Sequence, residues 1–188
     1  MAGGLVRVLP DTNVCYPISL LDLVLRCDEA DLHRVVWTDA LLEELVGVWV
    51  RHGARSNEAA RAVTDQIRSV FASARIELSH YDHLVAEMPG DDLDDHQHAA
   101  AAVSVAPSVL LTANLSDFPT AALAERGVIV QHPAEYFVEL LAVERDAVVD
   151  VLEEMAAART RPQRTVNDIL STLDRAGLAR FAAEARHA

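Results

Sequence analysis

Short apolar runs rich in branched residues recur along the chain, and each is followed by a stretch patterned as a helix. Leu5–Leu9, Arg34–Trp37, Ile76–Leu78, Val109–Thr112 and Val128–Val130 have the length and character of buried strands. Between them lie helical stretches at Ile18–Ala30, at 39–51 behind a Thr38 cap, and from the Ser56 cap to about Ala74. Further ones follow at Ala99–Ala106, Pro119–Arg126 and from Ala134. Strands that alternate with helices cannot pair as hairpins, so the fold class is α/β: a central parallel sheet with helices on both faces. In such sheets the functional crevice lies at the carboxyl ends of the strands.

A length of 188 residues suits one domain and an appendage. Thr165 caps a helix through Ala176, Gly177 breaks it, and Leu178–Ala185 forms another, so residues 142–188 read as a helical C-terminal extension of a 1–141 domain. The charge changes with it. Residues 159–188 hold six Arg against three acids, a net of +3, while residues 1–158 hold ten Arg against 26 acids, a net of −16.

The formal charge of −13 makes the whole chain a poor non-specific binder of nucleic acid or anionic membrane. Contact with a polyanion must be local, through clustered arginines or a bound cation. All 16 basic residues are Arg, and the absence of Lys excludes Schiff-base chemistry and the Lys-bearing phosphate loop. Cys15 and Cys27 match no metal or redox spacing and read as reduced thiols of a cytoplasmic protein. No stretch is apolar for long enough to span a membrane.

Chemistry concentrates in the carboxylates. Asp11 follows the first strand directly, where a carboxylate needs a partner or a cation. Glu44 lies six residues past the Thr38 cap, and Glu43, projecting about 100° away, is the bystander. Seven acids and no Arg lie between Glu77 and Asp95, with Asp95 set to enter the crevice at the start of the Ala-rich helix. Asn114 and Asp117 follow the strand ending at Thr112, at the same end of the sheet as Asp11.

Two carboxylates about 5 Å apart repel by roughly 3 kcal/mol at an effective dielectric of 20. Three or four converging either shift their pKa values upward or hold a divalent cation, and an all-oxygen set suits Mg²⁺ or Mn²⁺ rather than zinc. His96 and His98 stand two apart and point to different sides of a helix, so they do not make a zinc site. Arg159, Arg161 and Arg164 suit RNA phosphates, an acidic partner or a merely snorkelled surface equally well.

Asp11-Thr12-Asn13 after the first strand, Thr38 with Glu44-Leu45, Asp95 ahead of a run of alanines, and Thr112-x-Asn114-x-x-Asp117-Phe118 together resemble the PIN-domain ribonuclease family over about residues 5–140. The tract Thr112–Pro119, followed by Val130-Gln-His-Pro133, is similar to a VapC-like subgroup with a C-terminal helical extension, the toxin components of toxin–antitoxin pairs. The resemblance implies a three-layer α/β/α sandwich and a Mg²⁺- or Mn²⁺-dependent endoribonuclease that cuts single-stranded or looped RNA. It also implies a cognate antitoxin partner, and homodimers are common among such proteins.

The resemblance assigns Asp11, Glu44 and Asp95 to the metal and catalytic site, with Thr12, Asn13 and Thr112 in support. Asn114 stands where many PIN nucleases carry a fourth acid, and Asp117, three residues on, is the acid at hand to supply that charge. Asp92 and Asp94 are candidates for an outer shell. Two other readings compete: a PIN fold that binds without a metal, kept alive by Asn114, and a haloacid-dehalogenase-like phosphatase with Asp11 as nucleophile. The missing Lys weakens the second.

Overall fold

The computed structural model describes residues 4–88 and 93–188. In chain order the elements are β1 (Arg7–Pro10), α1 (Thr12–Cys15), α2 (Ile18–Glu29), β2 (Arg34–Val35), α3 (Asp39–Arg51), α4 (Asn57–Val70), α5 (Leu78–Val85) and α6 (Leu93–Ser104). They continue as β3 (Ser108–Leu111), α7 (Thr120–Glu125), β4 (Val128–Gln131), α8 (Pro133–Val143), α9 (Arg145–Ala157), α10 (Val166–Arg175) and α11 (Ala179–Ala185). The four strands described form one parallel sheet ordered β2-β1-β3-β4, flanked by helices as the alternating pattern predicts.

Strand order reverses between β1 and β3, because the chain leaves β1 toward one edge and returns on the other side. Pro10 pairs with Leu111, so Asp11 and Thr112 emerge side by side at the switch point where α/β sheets open their crevice. Val8, Leu9, Leu110 and Leu111 are fully buried at its centre. The expected N-caps form: the Thr38 and Ser56 hydroxyls accept from Leu41 N and Ala59 N, and Thr165 makes a reciprocal capping box with Asp168.

Three sequence expectations are corrected. Ile76–Leu78 is no strand: Arg75 makes a single bridge to Trp37, and the chain turns at Glu77 into α5, leaving Leu78 exposed. The Ala-rich helix runs Leu93–Ser104, since Pro107 disfavours helical backbone just before it. The apolar pattern of 39–51 predicts Leu41, Leu42, Leu45, Val48 and Trp49 inward, but on α3 it is Val46 that is buried, while Val48 is partly exposed at a cavity wall. Gly177 does end α10, at φ +98°, a conformation costly for a residue with a Cβ. Among the described residues no helix is long and apolar enough to cross a membrane.

Candidate active site

Asp11 is placed by backbone on one side and side chains on the other. Its N–H donates to the Leu111 carbonyl at 2.8 Å, which ties the end of β1 to the end of β3. Its Oδ1 accepts from Thr12 N at 2.6 Å and so caps α1. Its Oδ2 accepts from the Thr112 hydroxyl at 2.8 Å and from the Asn13 amide. Asn13 Oδ1 in turn accepts from Ala113 N at 2.9 Å. Thr12, Asn13 and Thr112 thus lace the two strand ends around one buried carboxylate. Burial pushes the Asp11 carboxyl above the usual range, against the pull of His98 and of the Thr112 and Thr12 bonds, and the nearby Glu44 charge adds to the rise.

Glu44 reaches the same place from the second turn of α3. Its Oε2 accepts from His98 Nε2 at 3.0 Å, and the same nitrogen lies 3.9 Å from Asp11 Oδ1. The His98 ring therefore stands between two carboxylates, with 3% of its residue surface exposed. Burial alone would lower its pKa, but the Glu44 bond and the charges of Asp11, Glu44 and Asp95 outweigh that and raise it. Burial would likewise raise Glu44, yet its bonds to His98 and the Thr12 hydroxyl and the charges of His98 and Arg51 hold it low. The carboxylates around His98 thus favour its charged form.

A cavity of about 330 Å³ opens over this network, lined by all four candidate acids, Asp11, Glu44, Asp95 and Asp117, together with Thr12, Asn13 and Asn114. Asp95 enters from the first turn of α6, half-buried, while Asn114 and Asp117 are exposed after β3. Thr112 lies behind Asp11, fully buried. Asp92 and the Asp94 side chain lie outside the described residues. Tyr16, Val48 and His52 complete the wall, with the Tyr16 and His52 rings edge to face at 5.8 Å. Cys15 is a buried thiol pushed well up in pKa by burial and takes no part.

Sequence reasoning missed His98. The informative spacing was not His96 to His98 but Asp95 to His98, three apart and hence on one face of α6. Tyr16, Val48 and His52 carried no comparable signal. No arginine lines the cavity among the described residues, so a phosphatase, which needs a cation to hold its phosphate, finds no such group there.

The donor chemistry fits a hard divalent ion, because every acid on the cavity offers oxygen. The Thr12 hydroxyl, buried on the cavity wall, lies against the Glu44 carboxylate and adds one more oxygen to the set. The spacing is looser: among the described residues no three His, Cys, Asp or Glu side chains are gathered closely enough to hold an ion as they stand. His98 engages Glu44, and Asn13 and Thr112 take one oxygen of Asp11.

Residues 133–187 match the protein-family model described as the VapC50 C-terminal domain. Over 138 residues the chain is 29% identical to a protein of Mycobacterium tuberculosis (strain ATCC 25618 / H37Rv) named "Putative ribonuclease VapC50", covering 73% of this chain and 77% of that one. No solved structure matches it significantly. Together these matches make the chain similar to a VapC-named ribonuclease over most of its length and to the VapC50 C-terminal domain over its last helices.

Proposed function

We propose that the chain is an endoribonuclease of the VapC type, dependent on Mg²⁺ or Mn²⁺, that cleaves single-stranded or looped RNA as the toxin of a toxin–antitoxin pair. The observation that carries this reading is the convergence of Asp11, Glu44, Asp95 and Asp117 on one cavity at the sheet's switch point. The name of the mycobacterial relative supports the same activity. Asp11, Glu44 and Asp95 would hold the ion, with Asp117 supplying the further charge. When bound, such an ion supplies a water of lowered pKa and positive charge against the phosphate.

The protein's own groups do the rest. Thr12 N and the Thr112 hydroxyl hold the Asp11 carboxylate in one orientation, so its reorganisation costs little when charge develops nearby. His98 holds Glu44 in the same way. Asn114 and Asp117 meet the strand at the rim. The acidic cavity also suits a cationic segment of an antitoxin, which would block it. In this reading residues 1–141 form the nuclease domain and 142–188 its helical extension.

The test is cleavage of a labelled pool of structured and unstructured RNAs with Mn²⁺, Mg²⁺ or EDTA, beside an Asp11→Asn, Asp95→Asn double variant. Cutting is expected with either ion, abolished by EDTA and reduced at least about 10²-fold in the variant, the usual loss when a preorganised charge is removed. A natural protein that neither cuts RNA nor binds Mn²⁺ by titration calorimetry would sink the reading.

A further inference from the structure

The positive tail is unused by that reading, and its arginines are not scattered. The turn between α9 and α10 carries Arg159, Arg161 and Arg164, all exposed, around a cavity of about 300 Å³. Arg159 and Arg164 also wall a second cavity, of about 160 Å³, with Ile18, Ser19 and Thr172. Arg164 Nη1 and Arg175 Nη2 both donate to the Thr172 hydroxyl, at 3.4 and 3.2 Å. Two guanidinium groups therefore converge on one neutral oxygen.

In a chain with 29 acids, like charges brought together without a counter-anion are a cost that evolution has easy means to remove. Nearby carboxylates offset it only in part. Arg159 shares Asp22 with Arg26, at 3.3 and 3.0 Å. Asp168, beside Arg164, accepts from the Thr165 N–H and hydroxyl at 2.8 Å each. Among the described residues Arg161, Arg164 and Arg175 have no carboxylate within 4.0 Å.

Position says which anion. Tyr16 lines the acidic cavity, and Ile18 and Ser19 line the arginine cavity, with Pro17 alone between them. Tyr16 and Ile18 are at most about 7 Å apart along the backbone. One short stretch, residues 16–19, therefore helps to wall both the acidic and the arginine cavity.

We infer that Arg164 and Arg175 at the Thr172 hydroxyl, with Arg161 beside Arg164 on the turn, form a phosphate-binding subsite for the RNA backbone flanking the acidic cavity. That the polyanion is RNA rests on the nuclease reading above. The subsite answers the charge problem of a chain at −13: the strand is gripped where the field is locally positive and carried to the acids only at the point of reaction. Backbone contacts of this kind add affinity without sequence preference.

The experiment measures binding of fluorescein-labelled U, A and C oligonucleotides by anisotropy, in EDTA so that no cleavage intervenes, across about 50–200 mM salt. It compares the natural protein with Arg161→Ala, Arg164→Ala and with an equal-charge control in α11, Arg180→Ala, Arg186→Ala. The test pair should weaken binding alike for all three sequences and shrink the slope of log K against log salt by about 1.4, about 0.7 per lost phosphate contact on a single strand. The control should leave the slope within error of the natural protein.

An unchanged slope in the test pair, or a natural protein that binds none of the oligonucleotides, overturns the inference. So does loss of polyglutamate binding with RNA binding intact, which would assign the turn to an acidic polypeptide. Metal-dependent cleavage measured in parallel separates the two readings. Cleavage with an unchanged slope removes the subsite alone, while arginine-dependent binding with neither cleavage nor Mn²⁺ binding removes the nuclease alone.

Discussion

His33 is sealed completely from solvent, and its neutral ring has a partner at each nitrogen. Its Nε2–H donates to the Val24 carbonyl at 2.9 Å, and its Nδ1 accepts from the Tyr136 hydroxyl at 2.8 Å. Protonation would put a hydrogen on Nδ1 and oblige the Tyr136 hydroxyl to turn from donor to acceptor. Burial pushes the imidazole down to about 4, outweighing the pull of Val24 and Asp28. Above pH 6.5 the ring is neutral folded or unfolded and contributes no pH dependence. As pH falls from 6.5 toward 4, the unfolded chain takes up the proton and the folded one does not, so stability is lost across that window. The gap corresponds to about 3 kcal/mol. Urea unfolding at steps of pH should show this decline, and a His33→Gln variant should show it flattened. His33 and His98 are both buried, yet their pKa values move in opposite directions, because one meets neutral partners and the other two carboxylates. Nothing local in the sequence separates them.

Among the elements, α6 bears most directly on the site. Ala99, Ala100, Ala101 and Ala102 are at most 2% exposed, and the helix lies against α5 on one side and β3 on another. The Ser108 hydroxyl donates to the Ala102 carbonyl at 2.8 Å, which locks the helix to the strand it feeds. Larger side chains would push the axis outward and carry Asp95 and His98 with it. Ala101→Leu should destabilise the protein by about 1–3 kcal/mol, the usual cost of overpacking, read as a lower denaturant midpoint with unchanged m. A run of four alanines is legible in sequence as a helix in close contact. Its neighbours are not, since small side chains fit many surfaces. The misreading of Ile76–Leu78 has a related cause: one buried residue, Ile76, beside a single bridge gives the apolar signal of a strand without the pairing.

At the scale of the whole molecule the C-terminal helices share the core of the sheet. Phe181 on α11 lies 5.8 Å from Phe137 on α8, and Phe137 packs at 5.3 Å on Tyr136, the residue that holds His33. α9 and α10 lie against α2. One continuous buried cluster runs from Val8 to Ala185. Phe181→Ala should therefore cost about 3–5 kcal/mol and shift one unfolding transition as a whole. A tail that melted alone, seen as two transitions in calorimetry, would contradict this. The positive charge of residues 159–188 is compatible with a shared core because it sits on exposed side chains while Ile169, Leu173 and Phe181 face inward.

By itself the sequence determined the parallel α/β architecture, the helix caps at Thr38, Ser56 and Thr165, the break at Gly177 and the carboxyl-end location of Asp11. Each of these is written in residues a few positions apart, through side-chain period, capping or backbone freedom. Only the tertiary structure decided that His98 stands between Asp11 and Glu44, that Asn13 reaches across to Ala113, and that Arg164 and Arg175 meet at Thr172 beside Ile18 and Ser19. His98 and Glu44 lie 54 positions apart, and Asn13 and Ala113 lie 100 apart. No local period encodes such meetings, because they follow from which strand ends the sheet places side by side and how closely the alanine face of α6 allows it to approach.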